Sequence, residues 1–194
     1  MPEVFLVKPG SIKRDESGRI LDARSSVTII ARGQQTIIVD SGAEDEEETI
    51  RREMARIGID PEEVSILINT HSHPDHCGNN HLFSRARALE AKDGAVIAPG
   101  VRIIATPGHS MDSISVAIEV DSTGMQKMRI VISGDALPTF GNFLKDVPPA
   151  LHVDRNLAIA SMRKIVSLSD IVIPGHDFPF SVGRREYFSL PFRM

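Results

Sequence analysis

The sequence is poor in the residues that stabilise a chain by cross-linking or ring stacking. Among 194 residues it has one cysteine, Cys77, no tryptophan and one tyrosine. A lone cysteine excludes an intramolecular disulfide. It suits a reducing compartment, so a cytoplasmic location is expected. A domain of this length needs no disulfide, because folding buries roughly 70% of the unfolded surface. No run approaches the ~18 consecutive apolar residues of a membrane span. Residues 1–10 have no basic segment leading into a long apolar stretch, so no signal peptide and no membrane association are expected. Basic charge is also lacking: the net charge of −4 gives no electrostatic help in binding nucleic acid non-specifically. The aromatic residues are mostly scattered Phe, which form no obvious stacking platform for a single strand. Repeats, low-complexity tracts and linkers are absent, and residues 1–194 read as one domain.

Short β-branched apolar runs are abundant: Val27–Ala31, Thr36–Val39, Val64–Ile68, Val101–Ala105, Ile114–Val120, Arg129–Ile132 and Ile171–Ile173. Their length and composition predict strands. Several are continuously apolar, as in sheets covered on both faces. Ile50, Met54 and Ile57 repeat at helical spacing. Ser41 and Glu44 form a capping-box pattern ahead of them, and Gly58 closes the helix. Asp60-Pro61 is a cap followed by proline at the first helical position. A further helix is expected from about Asp154 to Leu168 with Leu157, Met162, Ile165 and Leu168 on one face, and another after Pro74. The run Glu44–Glu48 reads as a solvated helix start, where acids suit the helix dipole. Ala136–Leu151 reads as a long irregular loop with a function. In it, Phe140 and Phe143 either bind substrate or enter the core, and Lys145 either meets charge or faces solvent. Strands and helices in this mixture predict a layered α/β protein.

The chemistry is concentrated in Asn69-Thr70-His71-Ser72-His73-Pro74-Asp75-His76-Cys77-Gly78. Three of the seven histidines and one aspartate fall within six residues there, directly after an apolar strand. Imidazole and carboxylate in one loop suit zinc, with iron or manganese as alternatives. Three other places repeat the form of an apolar strand, a Gly-containing turn and a metal-capable side chain: Ala105-Thr106-Pro107-Gly108-His109, Ile132-Ser133-Gly134-Asp135 and Ile173-Pro174-Gly175-His176. Glycine permits close backbone approach at such turns.

With these motifs the chain resembles the metallo-β-lactamase superfamily, whose signature is His-x-His-x-Asp-His, a distant His, an Asp and a final His. It also resembles the short, single-domain branch of metallo-β-lactamase domain-containing protein 1, through Ala-Thr-Pro-Gly-His around His109 and Pro174-Gly175-His176 before Pro179-Phe180. The resemblance implies a four-layer αββα sandwich of two mixed β-sheets with external helices. It implies one metal on His71, His73 and His109, a second on Asp75, His76 and His176, and Asp135 shared between them. Two Zn2+ per chain are then expected. Asp75 would also serve catalysis by orienting a hydroxide and passing a proton to the leaving group. Asp40, in Ile38-Val39-Asp40-Ser41-Gly42, would support the metal loop from behind.

The activity this implies is hydrolysis of an ester-type or phosphodiester bond, in a small molecule or in RNA; a homodimer is left open. Asp135 stands where the commonest zinc β-lactamases carry Cys, and the helical region of glyoxalase II-type thioesterases is not seen after His176. A mono-iron sulfur dioxygenase, a glyoxalase II-like thioesterase and a non-catalytic metal-binding protein are the alternatives. His81 reads as structural or surface, His152 as a residue where the long loop meets a helix, with a substrate-facing role as the alternative, and Cys77 as a small buried apolar group.

Overall fold

The apolar runs alternate between two destinations, as the two-residue repeat of a strand requires. In the computed structural model, which describes residues 1–89, 92–121 and 127–188, the strands are β1 (Glu3–Lys8), β2 (Ser11–Arg14), β3 (Ile20–Arg24), β4 (Val27–Arg32), β5 (Gln35–Val39), β6 (Ile66–Ile68), β7 (Arg87–Ala88), β8 (Val96–Ala98), β9 (Val101–Ala105), β10 (Ile114–Asp121), β11 (Lys127–Gly134), β12 (Ile171–Pro174), β13 (Phe180–Ser181) and β14 (Glu186–Tyr187). The helices are α1 (Glu47–Arg56), α2 (Pro74–Cys77), α3 (Phe140–Lys145) and α4 (Arg155–Leu168). One sheet has the order β1-β4-β5-β6-β7 and the other β14-β13-β12-β11-β10-β9-β8, while β2 and β3 form a separate ribbon.

Ile30, Ile37 and Ile68 of the first sheet meet Ile103, Val116, Ile132 and Ile173 of the second in the central core. Their neighbours Ile29, Ile38 and Leu67 point outward and pack on Ile50 and Met54 of α1. On the far side, Ile104, Val131 and Val172 pack on Met162 and Ile165 of α4. The result is the expected αββα sandwich, with each buried aliphatic side chain contributing roughly 1.5–3 kcal/mol.

Strand direction decides where the loops go. β5 and β6 are parallel, and so are β11 and β12. β9 and β11 both run antiparallel to β10, so β9 points the same way as β11. The segments after β5 and β6 leave the first sheet on one side and those after β9, β11 and β12 leave the second on one side, and the Ile114 N–H, which donates to Thr70 O at 2.9 Å, joins the two into one edge. Ligand sites in open α/β sheets form beyond the carboxyl ends of the strands.

Several sequence expectations change in detail. The cap of the first helical segment is at Ala43, whose N–H donates to Glu46 Oε2 at 3.0 Å; the Ser41 hydroxyl instead donates to Asn80 Oδ1. Asp154 caps α4, with Oδ1 accepting from the N–H groups of Asn156 and Leu157 at 2.9 Å. Leu157 leaves the expected apolar face and is exposed, because Ala158, Ser161, Met162 and Ile165 form the buried stripe. The helix after Pro74 is a single turn, α2, followed by a 3-10 turn at Asn80–Phe83. The segment 136–151 is not wholly irregular, since α3 lies within it. The strand β1 was not anticipated, although Phe5, Leu6 and Val7 are all buried. No helix among the described residues is long and apolar enough to cross a membrane.

Candidate metal centre

All seven residues of the sequence motif converge at that edge. Three sets of donor atoms lie within 4.8 Å of one another: His71, His73 and His109; His71, His76 and Asp135; and Asp75, His76 and His176. His73 Nδ1 is 3.0 Å from His71 Nε2 and 3.0 Å from His109 Nε2. These separations approach the ~3.3 Å edge of a tetrahedron of nitrogens about 2.05 Å from a zinc ion. Asp135 stands between the groups. Its Oδ2 is 3.5 Å from His109 Nε2, and its Oδ1 is 3.1 Å from His176 Nε2 and 3.3 Å from His76 Nε2. Asp75 Oδ2 approaches His176 Nε2 at 3.6 Å and His76 Nε2 at 3.9 Å.

The surrounding protein sets each ring's tautomer. Carbonyl oxygens only accept, so His109 Nδ1–H donates to Leu151 O at 2.7 Å and His176 Nδ1–H to Arg24 O at 3.0 Å. His76 Nδ1–H donates to Asp40 Oδ2 at 2.8 Å. The Thr70 hydroxyl donates to the same carboxylate at 2.9 Å and lies 3.2 Å from His71 Nδ1. Each of these four rings thereby turns its Nε2 toward the centre, the usual arrangement for a ligating imidazole.

Asp40 is the hub beneath the loop. It adopts a left-handed backbone conformation, φ 59°, which Asp tolerates better than most residues. Its Oδ1 also accepts the Thr70 N–H at 2.7 Å. Asp40→Asn should keep the fold while lowering metal affinity 10- to 100-fold, the usual cost of losing such a support. Titration with a competing chelator checks this, and an unchanged affinity would remove Asp40 from the account.

Burial drives the His71 pKa down to about 2, with neighbouring imidazoles adding to the effect; this ring is a neutral donor. At His76 burial also opposes the cation, but Asp40 and Asp135 outweigh it and raise the pKa. His176 is raised in the same sense, burial being overcome by Asp135. Asp135 is buried against its charge, yet His76 and His176 hold it well below the ordinary carboxylate range. A cation entering here must displace protons from His76 and His176, so its affinity falls as pH falls.

The metallo-β-lactamase superfamily model matches residues 22–92. A probable metallo-hydrolase of Methanocaldococcus jannaschii is 35% identical over 84% of this chain and 81% of its own length. The chain belongs to the metallo-β-lactamase superfamily. Metallo-beta-lactamase domain-containing protein 1 of Xenopus laevis, 30% identical, matches 87% of this chain and 77% of its own length. In structure, a Bacillus thuringiensis protein crystallised with N-decanoyl-L-homoserine at its active site superposes with a TM-score of 0.70 at 22% identity, covering 90% of this chain and 93% of that one. As a superfamily hydrolase, the chain carries His/Asp groups able to hold metal ions.

The histidines outside the centre stand apart from it. His81 is exposed and pairs with Glu47 at 3.2 Å. His152 is exposed, with Nδ1–H donating to Pro149 O at 2.7 Å. Cys77 is partly exposed rather than buried, its thiol donating to His73 O at 3.2 Å. Phe140 and Phe143 enter the outer core of the second sheet, with ring centroids 5.0 and 5.1 Å from that of Phe180, and Lys145 is exposed. Phe140→Ala should therefore cost about 3–5 kcal/mol of stability while kcat/KM per folded, metal-loaded molecule stays within about threefold. A melt combined with kinetics checks it; a selective rise in KM would return Phe140 to the substrate.

Sequence reasoning missed the β2–β3 ribbon. With Pro149, Ala150 and Leu151 it walls a cavity of about 190 Å³ whose floor includes His73, Asp75, His109, Asp135 and His176. A larger hollow, about 270 Å³, opens on the second sheet near Arg102, Glu119 and Leu168 and touches none of these groups.

Proposed function

We propose that this chain is a two-metal hydrolase that cleaves an ester-type bond (ester, thioester or lactone) in a small substrate. The observation that carries the reading is the position of Asp135, whose carboxylate lies within 3.5 Å of His109 on one side and of His76 and His176 on the other. His71, His73 and His109 would hold one ion, Asp75, His76 and His176 the other, and Asp135 both. The donor set fits. His76 Nε2 and Asp135 Oδ1 are buried and face each other at 3.3 Å without a well-formed hydrogen bond, and a cation held by both would satisfy them. Imidazoles and carboxylates suit zinc, with iron and manganese as alternatives. Bound in this way, two divalent ions supply Lewis acidity, lowering the pKa of water and polarising a carbonyl.

The chain's own residues supply the rest. Asp75 is partly exposed and faces the cavity, where its carboxylate can accept a proton and return it to the leaving group. Ile12, Ile20, Ala23, Pro149 and Leu151 give the cavity apolar walls, which bind the unreactive part of a substrate and exclude water. This lining favours an acyl compound over a nucleic-acid strand, which needs a basic groove with stacking rings.

Elemental analysis should find two metal ions per chain, and chelation should abolish activity that zinc restores. Esters, thioesters, lactones, a β-lactam and single-stranded RNA then form the substrate panel. Turnover of RNA alone would overturn the ester assignment. One iron per chain with oxygen consumed on a persulfide would overturn the hydrolytic one.

A further inference from the structure

The cavity over the metal centre has one lysine or arginine among its described lining residues, Arg14. It stands at the end of β2, in a ribbon that belongs to neither main sheet. Half of the sixteen arginines pair with a carboxylate, among them Arg24, Arg51 and Arg129. Arg14, which is exposed, is not one of them. Its Nη1 donates to Gly18 O at 2.9 Å, which braces the β2–β3 turn. No carboxylate pairs with it among the described residues, and its remaining N–H donors have no protein acceptor there. The nearest acid in sequence, Asp15, is occupied by Ser17 and the Arg19 N–H.

A guanidinium with no carboxylate partner has a specific chemical meaning at the wall of a pocket whose other walls are apolar and whose floor is the His/Asp cluster. It is a planar fork of N–H donors that matches carboxylate and phosphate oxygens, and its charge does not titrate away. We infer that Arg14 is a specificity-determining residue that pairs with an anionic oxygen group, carboxylate or phosphate, carried by the substrate away from its scissile bond. The inference rests on the ester-hydrolase reading and narrows it to substrates with an acyl centre at one end and a negative charge at the other. The ribbon then selects among esters, while the residues at the strand ends perform the reaction. A neutral ester of the same size would enter but lack this anchor.

Calorimetric titration of the zinc-loaded protein tests this without requiring turnover. The probes are linear dicarboxylates from succinate to suberate, the ω-phosphono acids of matching length, and the corresponding monocarboxylates. Each can place one carboxylate at the metal centre, and only the first two series offer a second anion. At least one doubly anionic probe should bind tenfold or more tighter than its monocarboxylate. Arg14→Ala should abolish that preference and leave monocarboxylate binding within about twofold, while Arg14→Lys should retain part of it. A dicarboxylate optimum assigns a carboxylate anchor and a phosphono optimum a phosphate anchor. The inference fails if no preference exists, or if it survives in Arg14→Ala. Failure of the metal reading looks different: no carboxylate binds at all, or the protein takes up no zinc, and the inference falls with it.

Discussion

Asp135→Ala is expected to empty both halves of the metal centre together. The residue is almost buried, 9% exposed, and its carboxylate lies 3.1–3.5 Å from the Nε2 atoms of His76, His109 and His176. On the two-metal reading, removing it deletes the carboxylate shared by both ions; it also leaves His176 without the negative charge that offsets its burial, and His76 with Asp40 alone. Metal content should fall from two ions per chain to fewer than one. Activity should fall at least ~10³-fold, since metal ions supply several kcal/mol of transition-state stabilisation and about 1.4 kcal/mol is a factor of ten. His81→Ala is the control: this exposed ring pairs with Glu47, away from the centre, and should leave metal and rate unchanged. Elemental analysis and kinetics on both variants decide the matter. An Asp135→Ala protein that keeps two ions would refute the shared carboxylate.

The second large effect is expected from one methyl group. A Cβ on Gly175 would lie 2.3 Å from Asp135 Oδ1 and 2.9 Å from the Gly134 carbonyl group, closer than non-bonded atoms can approach. The backbone cannot easily retreat, because Gly175 O accepts from Ser26 N at 2.7 Å and Gly175 N donates to Gly134 O at 3.1 Å. Overpacking of this kind costs about 1–3 kcal/mol, which in a domain of this size lowers Tm by roughly 2–4 °C per kcal/mol. Gly175→Ala should therefore melt several degrees earlier and bind metal more weakly, since the displaced atom is itself a candidate ligand. Gly183→Ala, where nothing lies within 4 Å, should stay within about 0.5 kcal/mol of the parent. Equal melts and equal metal content for the two variants would show that the Asp135–Gly175 contact has no consequence.

Much of the sandwich was legible in the chain because its core strands are continuously apolar. Every run singled out in the sequence became a strand, with ends shifted by a residue or two. Where a run ends, hydrogen bonding across the sheet competes with the next turn. Val64, for example, belongs to the turn begun at Pro61, to whose carbonyl it donates at 3.2 Å. The short pieces β7, β13 and β14 have two residues each and carry no periodicity to read. Phe140 illustrates a different limit. Its position five residues after Asp135 allowed either a substrate-facing or a core role, and only the start of α3 at that residue turned the ring toward Phe180.

The seven candidate ligands were named by the sequence itself, because chemistry restricts which side chains hold a metal and glycine-containing turns mark where strands release them. Which ligand faces which was settled by tertiary structure. The parallel pairing of β5 with β6 and of β11 with β12 brings Asp40 beneath His76 and Asp135 beside His176. The anchors that orient the rings are backbone carbonyls of Arg24 and Leu151, and a carbonyl is the same atom in every residue, so no sequence pattern announces it. The same holds for Arg14. Its residue type is visible in the chain, but its place above the metal centre depends on how the β2–β3 ribbon folds across the strand ends, a contact between segments more than fifty residues apart.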